Sequence, residues 1–145
     1  MNFVKRGIKA MENRYYFRAK RIDNGEWVYG AVLFHDSDAA TIFNQHPADG
    51  SLQGFEVNIK TICQCTGLKD KNGKLIFEND IMEAHLDDEF PEDISRFKIE
   101  WLDNGWVVNQ PGCVDREYIS DFETETYEVC GNTFDNPELL EGGAE

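Results

Sequence analysis

Thr61-Ile62-Cys63-Gln64-Cys65-Thr66-Gly67-Leu68-Lys69-Asp70-Lys71-Asn72-Gly73-Lys74-Leu75-Ile76-Phe77-Glu78-Asn79-Asp80-Ile81 is the stretch that decides the fold. It reads as strand, tight turn, strand. Thr61, Ile62, Cys63 and Cys65 suit a strand. Leu75, Ile76 and Phe77 resume an apolar run after Asp70-Lys71-Asn72-Gly73, and Glu78-Asn79-Asp80 breaks it. Asn72 and Gly73 both tolerate positive φ, as a type I′ hairpin turn requires.

The same grammar repeats on both sides. Tyr15, Phe17 and Ala19 alternate with Tyr16, Arg18 and Lys20, the period of two of a half-buried strand. Asp23-Asn24-Gly25 is a turn, and Glu26 to Phe34 resumes as a strand. Gly30 inside that strand predicts a bulge or a close backbone approach. Thr41-Ile42-Phe43 is a short strand, and Phe55, Val57 and Ile59 alternate towards the central hairpin. After Ile81 an acidic, solvated connection is expected. Phe97, Ile99 and Trp101 then alternate with Lys98 and Glu100, turn at Asn104-Gly105, and return through Trp106-Val107-Val108. Tyr118-Ile119 begins a short element. Thr124-Glu125-Thr126 shows no apolar alternation. Tyr127 to Phe134 forms the last strand, and Asn136-Pro137-Glu138-Leu139-Leu140 is an N-cap, a Pro at the first helical position and one helical turn.

Short strands joined by Asn-Gly turns predict an all-β protein, a hairpin-built barrel or sandwich. Residues 1–10 read as an N-terminal extension, 11–60 as an N-terminal hairpin region, and 61–145 as a region ordered like an SH3-like barrel.

The run Gln64 to Ile81 also resembles the hallmark of the YopX family of phage and prophage proteins. Phe17-Arg18-Ala19 with Trp27-Val28-Tyr29-Gly30 resembles that family's opening, and Tyr127 to Leu140 resembles its closing. Three positions depart: Cys65 where the family favours tyrosine, Lys20 where it favours tryptophan, and Asn79 where it favours glycine. Asn is the next residue to tolerate a left-handed backbone, so Asn79 is a mild departure. The resemblance implies a phage or prophage accessory protein and transfers no catalytic residue.

The chain has 145 residues and a formal charge of -14. That charge opposes direct binding to nucleic acid or to anionic membrane, whose phosphates reward Lys and Arg. It permits a basic protein partner, a host or phage protein. No run approaches the ~20 apolar residues of a membrane span. Met1 to Ala10 is basic without the apolar core of a signal peptide, and four cysteines without such a signal fit a reducing cytoplasm.

Chemistry has little motif support. Cys63 and Cys65 face one side of a strand, and Cys113 and Cys130 could join them around zinc. Yet C-x-C is not the spacing of structural zinc knuckles, so buried thiols are the plainer reading. His35, His46 and His85 lack metalloenzyme spacing. No phosphate-binding glycine loop or nucleophile elbow occurs. No cofactor, metal ligand or catalytic residue is therefore assigned. The candidate interaction surface is acidic: Asp87, Asp88, Glu89 and Glu92 in one segment, Asp121, Glu123 and Glu125 in another. The other function class in view is an enzyme or metal site in a cleft between hairpins. Tyr15, Tyr16, Tyr29 and Trp106 are aromatics that a homo-oligomer would bury.

Overall fold

The computed structural model describes Asn13 and residues 15–141. The expected extension, residues 1–10, lies outside them. The chain is mostly β and divides into two compact units between Gly67 and Leu68.

In the first unit four strands form a meander and a fifth returns beside the first. β1 (Phe17–Lys20), β2 (Trp27–Asp36), β3 (Ala39–Gln45), β4 (Leu52–Val57) and β5 (Cys63–Lys69), which runs across the boundary, lie in the order β4-β3-β2-β1-β5. The β1–β2 turn is closed by the Gly25 N–H on the Arg21 carbonyl at 3.0 Å, with Gly25 at φ +73°. The Asn24 side chain accepts from Glu26 N–H at 2.9 Å. Gly30 sits where β3 presses in: a Cβ there would overlap the Phe43 carbonyl, the close approach its sequence position predicts. β4 ends at Val57. Its expected continuation through Ile59 is instead a 3-10 turn, Ile59–Thr61, because the Asn58 side chain caps Lys60 N–H at 3.0 Å. Thr61 Oγ1 then accepts Lys20 N–H at 2.8 Å. Ala19, Ala40, Ile42 and Val57 form the core, flanked by Val28, Val32, Ile59 and Ile62.

The second unit carries β6 (Leu75–Phe77), β7 (Asp80–His85), β8 (Ile94–Leu102), β9 (Gly105–Asn109), β10 (Glu117–Tyr118), α1 (Asp121–Thr126), β11 (Glu128–Asn132) and α2 (Glu138–Glu141). Its five-stranded antiparallel sheet has the order β10-β9-β8-β7-β11. The sheet is open, with β10 and β11 as edges, so the SH3-like barrel expected here does not close. Ile76, Met82, Ala84, Phe97, Ile99 and Tyr127 fill the core.

Four local expectations change. The Asp70–Gly73 turn is not type I′. Gly73 has φ +81°, but Asn72 is not among the positive-φ residues. Gly73 N–H donates to the Asp70 carbonyl at 2.9 Å and Asp70 N–H to the Lys74 carbonyl at 2.8 Å, the three-residue hairpin pattern. The third hairpin turns one residue early. Leu102 already pairs with Gly105, and Asp103 takes the positive φ of +57°. Gly105 is a strand residue against which the Tyr118 ring lies, leaving no room for a Cβ.

The acidic connection begins later than expected, because β7 runs on to His85: residues 80–83 pair with β11 and residues 81–85 with β8. Asp121–Thr126 is helical despite its polar run. The Glu123 carboxylate accepts the Ser120 N–H at 3.0 Å and its hydroxyl at 2.9 Å, the carboxylate half of a capping box. Phe122 stacks edge-on to Tyr127, whose ring packs 4.6 Å from Phe97. Asn79 is left-handed at φ +70°, as its glycine-like place in the sequence allows.

Candidate functional site

The β7–β8 connection is an ordered loop with an unusual surface. Asp87 Oδ1 accepts Glu89 N–H at 2.9 Å, and its carbonyl accepts Phe90 N–H at 3.2 Å. Phe90's carbonyl accepts Asp93 N–H at 2.9 Å, and His85 donates from Nδ1 to the Pro91 carbonyl at 2.8 Å. These bonds tie the loop backbone to itself at four points. They leave Leu86 55%, Phe90 50% and Ile94 39% exposed, interleaved with Asp87, Asp88, Glu89, Glu92 and Asp93.

A shallow cleft of about 300 Å³ adjoins the loop. Glu92, Ile94 and Arg96 meet Gln110 and Pro111 after β9 and Leu139 and Leu140 of α2 there. Arg96 Nε is committed to Glu83 Oε2 at 3.0 Å. Ile94, Pro111, Leu139 and Leu140 form the apolar part of the lining, and Glu92, Ser95, Arg96 and Gln110 form the polar part. Sequence reasoning found the acids but missed Leu86, Phe90 and Ile94. The signal was present as apolar residues inside an acidic run. The cleft had no such signal, because its walls come from separate elements.

The YopX family model matches residues 16–141. The chain belongs to the YopX family. A solved structure, protein EF1440 from Enterococcus faecalis, is similar at 26% identity and a TM-score of 0.55, over 86% of this chain and 96% of that one. No curated protein matches the chain.

In this YopX chain the second acidic segment has a different character from the loop. Glu123 caps α1, so only Asp121 and Glu125 are fully exposed. Ser95, near the start of β8, hydrogen-bonds Tyr127, the residue after α1, at 2.9 Å. The histidines serve local roles: His46 Nδ1 accepts Ala48 N–H at 3.1 Å, and His35 meets the Thr41 hydroxyl. Cys63 and Cys65 are buried on β5, Cys113 is exposed and Cys130 is half-buried in β11. Among the described residues no group of three or more His, Cys, Asp or Glu could hold a metal. Burial pushes the Cys130 thiol up to about 11, and the neighbouring Glu83 carboxylate adds to it.

Of the aromatics proposed for an oligomer surface, Tyr15 is well exposed and Tyr16 stacks on Tyr29 at 5.9 Å. Trp106 is half-buried, edge-on to Trp101 at 5.0 Å. No helix of the described residues is long and apolar enough to cross a membrane.

Proposed function

We propose that this YopX protein is a non-catalytic accessory protein of a phage or prophage, acting in the host cytoplasm by binding a basic protein partner through the β7–β8 loop. One observation supports the reading above the rest: exposed Leu86 and Phe90, with Ile94 at the start of β8, stand among five carboxylates on a loop held by its own hydrogen bonds. Apolar side chains in water favour a covering partner. The carboxylates around them favour one that carries Lys and Arg, and they repel the phosphates of nucleic acid. A loop already ordered loses little conformational entropy on docking. The phage setting follows from the family resemblance.

The test is capture from a bacterial host lysate by the full chain and by a variant with Asp87, Asp88, Glu89 and Glu92 changed to lysine. The reading expects a partner retained by the parent, released as salt shortens the Debye length from ~10 Å at ~0.1 M to ~3 Å at ~1 M, and lost by the variant. A partner retained equally by both, at any salt, would move the binding surface elsewhere.

A further inference from the structure

We infer that the β7–β8 loop and its adjoining cleft receive residues 1–12 of a second copy of this chain, so that the protein assembles with itself. The inference rests on the reading of this loop as a docking surface for a basic partner, and it names the partner.

The loop sets two requirements at once. From Leu86 to Ser95 it carries five carboxylates and no Lys or Arg, and its apolar residues alternate with those charges every few positions. A partner segment must therefore interleave basic and apolar side chains at similar spacing. A purely basic segment would leave Leu86 and Phe90 in water. A purely apolar one would strip water from carboxylates and give nothing back.

The chain itself contains a segment that meets both requirements. Met1-Asn2-Phe3-Val4-Lys5-Arg6-Gly7-Ile8-Lys9-Ala10-Met11-Glu12 sets Lys5, Arg6 and Lys9 among Phe3, Val4, Ile8 and Met11. Three basic side chains against one acidic one, Glu12, give it a positive charge in a chain whose total is -14. The other dense basic cluster, Lys69, Lys71 and Lys74, does not compete. It rides on the Asp70 turn, has few apolar residues between its charges, and is fixed by Lys71 N–H on the Tyr127 carbonyl at 3.2 Å.

The cleft adds a receptacle beside the loop. Ile94, Pro111, Leu139 and Leu140 offer apolar surface to the methylene stem of a lysine or arginine, Glu92 in the same lining offers a carboxylate to its charged end, and the lining cation Arg96 is already paired with Glu83. When each copy offers both the loop and the segment, two copies satisfy one another in a closed, isologous dimer.

Light scattering of the full chain across the micromolar range tests this. The expected result is a dimer mass at low salt that falls to the monomer in excess synthetic peptide of residues 1–12. The charge-reversed variants Lys5→Glu/Arg6→Glu/Lys9→Glu and Asp87→Lys/Asp88→Lys/Glu89→Lys should each be monomeric, and an equimolar mixture of the two should regain pairs. Phe90→Ser, at an exposed site that leaves the core intact, should weaken the dimer while the circular dichroism spectrum stays unchanged. A monomer at all concentrations, or a dimer that survives both reversals, overturns the inference. Anisotropy of labelled peptides separates it from the broader reading. If a scrambled peptide of the same composition binds as tightly as the native one, self-recognition falls and the basic-partner surface stands. If neither peptide binds, both fall.

Discussion

Asp70 and Val129 lie 59 positions apart in sequence and are joined by a 2.9 Å hydrogen bond from the Val129 N–H to the Asp70 carboxylate. The other carboxylate oxygen accepts from Asn72 N–H at 2.8 Å and Lys74 N–H at 2.9 Å. One buried side chain thus closes its own turn and covers part of the outer edge of β11. Asn72 Nδ2 reinforces the joint by donating to Glu128 Oε2 at 2.8 Å. An edge strand covered in this way is less open to pairing with another chain.

Replacing Asp70 by alanine leaves three backbone N–H groups without this acceptor. The expected loss is about 3 kcal/mol, since bonds to a charged acceptor contribute most. Asp70→Asn keeps one acceptor oxygen and should lose less. Urea unfolding of the two variants and the parent checks the order. Equal midpoints for all three would show that the joint contributes nothing.

Gly30→Ala should destabilise the first unit by about 2–3 kcal/mol, the range of overpacking in a tight site. The obstacle is the Phe43 carbonyl, which belongs to the backbone of the neighbouring strand and cannot rotate away. Gly25→Ala meets nothing within 4 Å and has only its φ of +73° to strain, which costs about 1 kcal/mol. Thermal unfolding of the pair measures the difference. A Gly30 variant as stable as the Gly25 variant contradicts the close approach.

Glu100 should contribute to acid sensitivity. Burial alone would raise its pKa. Hydrogen bonds from Lys98 at 2.8 Å and Asn109 at 2.9 Å, and the Arg116 contact at 3.4 Å, outweigh burial and hold it below the usual carboxylate value. A carboxyl depressed in the folded state stabilises it above the unfolded pKa, and that stability is lost as pH falls through the lowered value. Glu100→Gln should lose no more than about 1 kcal/mol at neutral pH, because the network is partly exposed. Its stability should also fall less steeply in acid than the parent's. Parallel acid limbs in a pH series of urea midpoints would assign the sensitivity to other carboxylates.

Cys130 should be a slow thiol. A rise from the ordinary thiol value of 9.0 to about 11 lowers the thiolate fraction at neutral pH by about a hundredfold. Iodoacetamide at neutral pH should label the exposed Cys113 well before Cys130, as read by peptide mass spectrometry. The folded thiol resists ionisation, so this group stabilises the fold below pH 9 and the contribution fades as pH climbs towards 11. Cys130→Ser should flatten that alkaline limb. Simultaneous labelling of both cysteines would refute the buried setting.

The hairpin positions were legible in the chain because turn chemistry is local. Gly25 and Gly73 sit where a left-handed residue is needed, and the alternation of Phe97, Ile99 and Trp101 already marks β8. A four-residue window holds all the information such a turn uses. The Ser120-to-Glu123 spacing of a capping box was equally local and equally present, but α1 lacks helical apolar periodicity and depends on Phe122 and Tyr127 reaching Phe97. Only the tertiary structure decided that β11 lies beside β7, that Asp70 reaches Val129, and that Leu139 and Leu140 stand across a cleft from Ile94. Each joins residues far apart in sequence, and the free energy that selects such partners comes from burial and pairing shared across the whole sheet. No short window of sequence carries it.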